Sequence, residues 1–467
     1  MLYTYQDLLA VGDYEKDRVQ FVRNVIEHHK KSDAYKTAYI ADQYDRHKNV
    51  TISEYQKLLY TATGKVVPDN YNANYKMACR HFHRFVTQEN QFLLGNGCTW
   101  DNPEVTKSLE TKQYRFDAQL QKLGKKALVQ GESFGFYDKD HLQVFSLLDF
   151  APLVDEEDGA LKAGVRFWRL SKEKPLRATL YEPDGYTHIK WTNDKDYEIV
   201  QDKTPYVFTY RETKADGVFE RVAHTYDRLP IIPLYGNPEE QSEIVGLREQ
   251  IDCYDLIKSG FANTVDEASY IYWTIQNAGG MDDVDLAKFV EKLRTVHAAV
   301  VEDDGAKAES HQIETPFQSR EALLARLDKD MYRDAMALDT EHIASGAVTA
   351  TQINAAYEPL NSKADDYEYC IRNFIDSLLD LIGVESNYTF TRSMIANKTE
   401  EIQAITLSAS YLDADYIVRK LLDAFGDGDL ADDMLKKMDA DELNRFGLGG
   451  DNDGESDTTG ATGEVDS

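Results

Sequence analysis

Long apolar runs are missing from this chain of 467 residues. No stretch of eighteen consecutive apolar residues occurs, so no transmembrane helix is expected. Residues 1–7 carry neither a basic nor an apolar segment of the secretory type, so no signal peptide is expected. The four cysteines, Cys79, Cys98, Cys253 and Cys370, are far apart and form no CxxC pair. This spacing indicates neither a zinc knuckle nor a disulfide scaffold, and it favours synthesis in a reducing cytoplasm.

Positive charge is scarce as well. The chain has 52 Lys and Arg against 82 Asp and Glu, which gives a formal net charge of -30. Proteins that grip DNA tightly are basic, because contacts to phosphate need Lys and Arg. The excess of acidic residues therefore excludes a protein that clamps DNA tightly. Any contact with DNA would favour sliding of the duplex. The simpler interpretation is that the acidic charge keeps the protein in solution.

Sequence signatures of catalysis are also missing. The chain has no Walker A motif, no GxGxxG that opens a helix and no GxSxG. The adjacent carboxylates at 156–158 and 365–366 are neighbours in sequence and are expected to form solvated faces. Because nothing nominates a nucleophile, the sequence predicts no enzymatic activity and no cofactor.

The sequence also lacks a complete metal-binding pattern. Residues 451–462 resemble a calcium loop, but Ser456 stands where a glycine is required and Thr462 where a glutamate is required. The histidine pairs at 28–29 and at 81 and 83 do not share a helix face. No metal site is therefore expected.

The stretch 318–383 predicts a helix, a short break and a longer helix. Apolar positions three or four apart mark the first helix and include one acidic residue, at Leu323, Leu327, Met331, Asp334 and Leu338. The break at 339–351 holds a glycine and no proline, lysine or arginine. The second helix continues the period for about eight turns. Pro359 removes a backbone donor inside it, which predicts a kink rather than an end. Two core helices of an α+β enzyme are an alternative interpretation.

The remaining segments predict an α+β fold. Residues 1–63, with Tyr55, Leu58 and Leu59, are expected to be helical. Another helix is expected from Met77 to the Gly95–Gly97 stop. Antiparallel strands are expected over 127–235, with an edge strand within 229–237. They are followed by a helix from near 239 to 268, strands at 270–275 and 298–301, and a helix at 284–296. The last predicted elements are a strand at 387–391 returning to the β region, helices at 398–410, 411–425 and 431–445, and a disordered tail from 447.

Taken together, these features resemble the portal proteins of tailed bacteriophages, of the siphophage type, from about residue 70 to 425. Five short motifs in the family's order carry the resemblance. They are Asn74–Asn96 with a YLLGN-like end, Ala127–Tyr137 at a strand entry, Ile232-Pro233 with Asn237, Leu247–Asp255 in a helix, and Ser345–Ala347, which is one residue shorter than the family's SGxA.

The resemblance implies a domain map and a ring of twelve copies. The implied parts are a wing at 1–238, stem helix 1 at 239–268, a clip at 269–317, stem helix 2 at 318–338, a tunnel loop at 339–351, a kinked wing helix with a returning strand at 352–395, a helical crown at 396–446, and the disordered acidic tail at 447–467.

The resemblance also implies a function without chemistry. The ring would be the channel at one capsid vertex, through which a terminase motor packages double-stranded DNA and from which the DNA is later ejected. Its implied partners are other copies of the chain, the DNA, the terminase large subunit, major capsid and scaffold proteins, and head-completion adaptors, with no membrane. The protein would be made in the host cytoplasm and reside in the virion.

Two groups of candidate site residues follow from this map. The tunnel loop would present Thr340, Glu341, His342, Ile343, Ala344, Ser345 and Gly346 to the DNA. Cations on the second stem helix would face the channel or a neighbouring copy, at Arg320, Arg326, Lys329 and Arg333. Salt bridges between subunits, to Asp328, Asp330 and Asp334, explain these cations equally well.

Two other functions remain open at this point. One is a non-phage structural ring or scaffold with no DNA in its lumen. The width of the channel distinguishes it, because B-form DNA needs a bore of roughly 20 Å. The other is an acidic hydrolase that uses carboxylates of the β region, which predicts a monomer with a cleft.

Overall fold

Mixed helices and antiparallel sheets make up the computed structural model, so the α+β prediction is confirmed. The structure describes residues 3–60, 64–70, 72–102, 104–193, 196–212, 219–224, 226–268, 272–276, 284, 288, 307–311, 317–340, 350–393, 402, 405–408, 411–425, 430–432 and 434–437. The chain divides into two compact units, one of 1–342 with 356–393 and one of 343–355 with 394–467.

Helices dominate the first unit outside the β region. They are α1 (Tyr5–Val11), α2 (Glu15–His29), α3 (Asp33–Asp45), α4 (Val50–Glu54), α5 (His81–Leu94), α6 (Glu104–Leu109), α7 (Phe116–Gln130), α8 (Arg248–Ala268) and α9 (Phe317–Asp334). The long helix α10 (Ala350–Ile382) follows, and Pro359 lies inside it. The helix therefore continues through Pro359, while the kink remains a prediction.

The helical prediction for 1–63 is wrong at its end. Leu58–Tyr60 is a strand, β1, which pairs antiparallel with β2 (Val66–Pro68). Met77 also lies outside the helix predicted around it, because residues 73–80 run without regular secondary structure before α5. Backbone groups in this stretch bond to side chains of α8 instead of to one another.

The β region forms two main sheets. A meander of β6 (Phe150–Val154), β7 (Leu161–Trp168), β8 (Leu176–Glu182), β9 (Gly185–Trp191) and β10 (Tyr197–Thr204) makes the larger. The smaller has the order β13 (Ile231–Tyr235), β4 (Glu132–Asp138) and β5 (His141–Ser146). Pro233 lies in its edge strand, as predicted, opposite Phe134. A separate hairpin joins β11 (Val207–Glu212) to β12 (Phe219–His224).

The predicted returning strand goes to a different partner. The strand β16 (Tyr388–Phe390) pairs with β3 (Cys98–Trp100), not with the β region at 127–235. Aromatic contact helps to decide this pairing, because the rings of Trp100 and Tyr388 lie 5.4 Å apart.

The two helices that flank residues 269–316 are shorter than predicted. The first begins at Arg248, not near 239, because Gly246 has a φ of 84°, which a right-handed helix does not accept. The second ends at Asp334, not 338, because Met336 adopts a φ of 52°.

Only part of the segment between α8 and α9 is described. Strand β14 (Tyr272–Gln276) agrees with the predicted strand, and it pairs with β15 (Lys307–His311), which the sequence did not predict. The strand predicted at 298–301 lies outside the described residues. So does most of the helix predicted at 284–296, although Val284 and Lys288 are helical.

Three apolar clusters form the core of the first unit. The largest joins α5, α7 and α10, with Phe82, Leu123 and Phe374 at its centre. The second packs α2 against the five-stranded sheet, and the third consists mainly of aromatic residues around Phe134. The largest cluster packs helix α10 against α5 and α7.

The second unit is described only in short pieces. Helix α11 (Ala414–Phe425) matches the end of the predicted 411–425 helix. Its Arg419 lies 2.7 Å from Asp432. Residues 402, 405–408 and 434–437 are helical, in agreement with two further predicted helices. Most of 431–445, and the tail, lie outside the described residues.

Candidate functional site: the α8–α9 hairpin and its anchorage

Helices α8 and α9 form an antiparallel pair. Near the end of α8, the rings of Phe261 and Phe317 lie 5.6 Å apart. In the same region, Arg320 donates to the Thr264 hydroxyl at 2.8 Å. At the opposite end, Gln250 donates to Asp334. The end of each helix therefore contacts the start of the other, which defines a helical hairpin.

A polar stripe on α8 fastens the hairpin to the extended segment 73–80. The carboxylate of Asp255 accepts the Cys79 N–H at 2.8 Å. The Ser259 hydroxyl accepts the Met77 N–H at 2.9 Å, and the side-chain oxygen Oδ1 of Asn263 accepts the Tyr75 N–H at 2.7 Å. Four residues of helix rise about 6.0 Å, and two residues of extended chain span about 6.6 Å. This match lets every fourth residue of α8 bond every second amide of the segment.

Asp255 is fully buried, and hydrogen-bond donors contact its carboxylate. The side chain of Asn49 donates a second hydrogen bond to it. Burial raises the pKa of Asp255, while the bonds from Asn49 and Cys79 act in the opposite direction. One turn earlier, Asp252 accepts hydrogen bonds from Thr51 at 2.7 Å and from the Tyr44 hydroxyl. Helix α8 is thus joined to α3, α4 and the extended segment.

Helix α9 is fastened to α5 by a different set of contacts. His81 Nε2 lies 2.6 Å from Asp328 Oδ1. Burial lowers the pKa of His81, although Asp328 acts in the opposite direction. Arg84 donates to the Tyr332 hydroxyl. Beyond the helix, Gln88 forms two hydrogen bonds with the backbone of Leu338, at 2.9 and 3.0 Å.

A buried lysine connects the hairpin to helix α10. Lys363 Nζ lies 2.8 Å from Glu89 Oε2 and 2.6 Å from Glu243 Oε2. It also donates to the Ala335 carbonyl at 3.2 Å, so three oxygen atoms surround the ammonium group. Burial lowers the pKa of Lys363, but the two carboxylates outweigh this effect and the pKa is raised. Burial raises the pKa of Glu89 to about 8. We call these four residues the Lys363 junction.

The junction brings together four parts of the chain. Glu89 is on α5, Glu243 precedes α8, Ala335 follows α9, and Lys363 is on α10. The residues that precede α8 and follow α9 therefore both contact the side chain of Lys363. Replacing one charged member is expected to cost stability, because an unpaired buried charge is unfavourable.

Helix α10 approaches α7 closely beside the junction. The Tyr367 hydroxyl, which is fully buried, donates to Asn90 Oδ1 at 2.9 Å. Gly124 of α7 faces it, and a Cβ there would lie 1.9 Å from the Tyr367 oxygen. Glycine at 124 is therefore what permits this packing distance.

Three of the four predicted cations have partners within their own chain. Arg326 and Arg333 lie 2.8 and 3.2 Å from Asp330, one turn away, and both are exposed. Arg320 bonds to Thr264, as described above. Lys329 is exposed, and no carboxylate of the described residues lies within 4.0 Å of it. Their orientation toward a channel or a neighbouring copy remains a prediction.

Of the predicted tunnel-loop residues, only Thr340 is described, and it is exposed. Glu341, His342, Ile343, Ala344, Ser345 and Gly346 lie outside the described residues.

Sequence patterns missed the residues that fasten the hairpin. Asp255, Ser259 and Asn263 recur every four residues along α8, and this periodicity could have marked a polar stripe. Nothing in the sequence around Lys363 distinguishes it from a surface lysine.

The described residues show neither a metal site nor a membrane span. Within them, no cluster of three or more His, Cys, Asp or Glu is arranged to hold a metal ion. No helix in the same part of the chain has the length and apolar character needed to cross a bilayer.

Comparison with known proteins places these features in a family. The family model described as "Phage portal protein, SPP1 Gp6-like" matches residues 10–422. The portal protein of Clostridium phage phiCD119 is 27% identical over 209 residues, which covers 42% of this chain and 46% of that protein. In that alignment the chain spans about half the length of its relative. The portal protein of Bacillus phage SPP1 is 24% identical over 393 residues, or 76% of this chain and 74% of that protein.

The chain also has similarity to solved structures. The neck of an empty GTA particle, computed with C6 symmetry, has a TM-score of 0.44 at 11% identity and covers 73% of this chain and 89% of that chain. The virion of a native gene transfer agent particle has a TM-score of 0.44 at 12% identity and covers 72% and 88% of the two chains.

Proposed function

The chain belongs to the SPP1 Gp6-like family of phage portal proteins, and from this premise we propose that it forms the DNA channel of a phage capsid. In this proposal, copies of the chain close into a homo-oligomeric ring of twelve at one vertex. Double-stranded DNA enters through the ring during packaging and leaves through it at ejection. The observation that carries the proposal is the family match over residues 10–422.

The α8–α9 hairpin is the part of the structure that best supports a channel lining. A ring built from one kind of subunit needs two different complementary faces, related by a fixed rotation. A helical hairpin has two long sides, and the polar stripe and the Lys363 junction fix its base to the rest of the subunit. We assign α8 and α9 to the stem and residues 269–316 to the clip.

The assignments of the other parts rest on the family. Residues 1–238 and 352–395 would form the wing, 339–351 the tunnel loop and 396–446 the crown. The loop follows α9 directly, so it would project from the end of the stem into the channel. Thr340, His342 and Ser345 are its candidates for contact with DNA.

Charge supports sliding rather than gripping. The chain has a net charge of -30, so the wall of a channel made from it repels phosphate on average. Arg326 and Arg333 are already paired with Asp330, which reduces the local attraction to DNA. A wall of this kind lets the duplex move without binding it tightly.

Portal proteins are a structural class and not a class of enzymes. We propose that ATP hydrolysis belongs to a separate terminase large subunit, which contacts the clip. Major capsid and scaffold proteins would surround the wing, and head-completion adaptors would replace the motor after packaging. The mature location would be the portal vertex of the virion. The family match does not favour a non-phage ring without DNA.

The first test is the mass and symmetry of the purified protein, by native mass spectrometry and negative-stain class averages. The expected result is a closed ring with an open bore of at least roughly 20 Å, the width of B-form DNA. A bore too narrow for a duplex, or ATP hydrolysis or DNA cleavage by the purified chain alone, would refute the proposal.

A further inference from the structure

A recess between α3, α5 and α7 carries positive charge on an acidic chain. Its cavity has a volume of about 430 Å³. Four cations line it, and we call it the lysine recess. They are Arg46, Lys122, Lys125 and Lys126. Two carboxylates, Asp42 and Asp45, share the wall, so the lining has a surplus of two positive charges.

Both carboxylates are already engaged. Asp42 receives two hydrogen bonds from Arg46, with Nε at 2.7 Å and the second guanidinium nitrogen at 3.2 Å. Asp45 Oδ1 lies 3.1 Å from Lys125 Nζ and 2.8 Å from His83 Nδ1. The acids of the recess therefore neutralise Arg46 and Lys125, and the surplus charge belongs to Lys122 and Lys126.

Lys122 and Lys126 are one helical turn apart on α7, so they share a face. Within the described part of the chain, no carboxylate lies within 4.0 Å of either ammonium group. Lys126 is half-buried, and burial lowers its pKa, as do the cations Lys122 and Arg46. Asp149 and Asp42 face it from a greater distance and act in the opposite direction. A half-buried ammonium beside like charges is stabilised by an added anion.

We propose that the lysine recess binds a phosphate-bearing polyanion. A phosphate monoester carries close to two negative charges and three acceptor oxygens, so one group neutralises both lysines. A peptide carboxylate carries one charge and would leave the other lysine unpaired.

Two sources could supply this chemistry: two adjacent phosphodiesters of a DNA backbone, with one charge each, or the phosphates of a free nucleotide or polyphosphate. The proposal does not rest on the channel function, because the recess is complete within one subunit. Its test can therefore fail while the ring and its bore stand, and the reverse also holds.

The experiment is calorimetric titration of the full-length protein with inorganic pyrophosphate at low salt, where charge–charge attraction is least screened. The double variant Lys122→Gln/Lys126→Gln is expected to raise the Kd at least about tenfold. The matched control, Lys107→Gln/Lys112→Gln, removes the same charge from exposed positions near α6 and should keep the wild-type Kd. The single variant Lys122→Gln, at an exposed position, should give an intermediate loss without disturbing the core.

Three further measurements distinguish the possible results of this experiment. Pyrophosphate should raise the Tm of the wild type and of the control, but not that of the double variant. Competition by a short DNA duplex that depends on Lys122 and Lys126 would identify DNA as the source, and its absence would identify a small ligand. An equal Kd for the double variant and the control, or equally tight lysine-dependent binding of citrate, would overturn the proposal.

Discussion

The carboxylate of Asp255 accepts the backbone N–H of Cys79 at 2.8 Å, across 176 residues of sequence. It is the first of three such bonds, which run down α8 at every fourth residue. Each of them satisfies an amide of an extended segment that has no strand partner. The helix therefore supplies the hydrogen bonds that a neighbouring strand supplies in a sheet.

Loss of the Asp255 carboxylate should destabilise the subunit. The substitution Asp255→Ala leaves the Cys79 N–H without its acceptor and the Asn49 amide with only the Cys79 carbonyl, so we expect a loss of about 3 kcal/mol in the free energy of unfolding. Urea unfolding followed by circular dichroism measures it. The control Glu249→Ala, at an exposed position of the same helix, should change stability by less than about 0.5 kcal/mol. Equal effects of the two variants would contradict the polar stripe.

The Lys363 junction predicts a large effect of one substitution. At pH 9, above the pKa of about 8 of Glu89, Lys363→Met leaves the buried carboxylates of Glu89 and Glu243 without a cation, and about 3–5 kcal/mol of stability should be lost. The exposed Lys36→Met is the control, with an expected change of about 0–1 kcal/mol. Adding Glu89→Gln to Lys363→Met should recover part of the loss, because one of the unpaired charges is then absent. A double variant less stable than Lys363→Met would argue against the junction.

Glu89 also predicts a pH dependence. Its pKa is raised from 4.5 to about 8 in the folded protein, so the native state holds a proton that the unfolded state has released. The stabilisation from this group is complete below about pH 4.5 and is lost as the pH rises toward about 8. Unfolding free energies at pH 5 and pH 8 should therefore differ less in Glu89→Gln than in the wild type. Glu54→Gln, at the surface, should leave the difference unchanged, and parallel pH profiles for the wild type and Glu89→Gln would refute this assignment.

The substitution Gly124→Ala should change stability in the direction opposite to that expected from helix propensity. In an exposed helix, Gly→Ala stabilises by about 1 kcal/mol. Here Gly124→Ala should destabilise by about 1–3 kcal/mol, because the new Cβ would meet the Tyr367 hydroxyl. The combination with Tyr367→Phe should cost less than the sum of the two single variants. Additive losses in thermal unfolding would show that the two residues do not interact.

Lys329 predicts a contact between copies of the chain. It is the cation of α9 that has no carboxylate within 4.0 Å in the described part of the chain, and a neighbouring copy is acidic. Lys329→Gln should lower the salt concentration at which assembled rings dissociate. Arg326→Gln, whose charge already pairs with Asp330, should leave that concentration unchanged. Mass photometry across a salt series measures both, and an unchanged midpoint for Lys329→Gln would exclude the contact.

The order of the helices and strands was largely accessible from the sequence. Apolar residues three or four apart identify α8, α9 and α10, since the period of a helix is a local property. The boundaries were less accessible. Gly246, before α8, and Met336, after α9, have left-handed backbone conformations that limit the two helices. The periodicity of the flanking residues does not signal these conformations.

The sequence by itself determined the family, the α+β class and the helical hairpin, because short motifs in order and local periodicity need no knowledge of distant contacts. Only the tertiary structure decided which polar side chains are buried and what they bind. Asp255, Lys363 and Lys126 look like surface residues in the sequence. Their environments come from segments far away in the chain, and the cost of burying a charge depends on those segments.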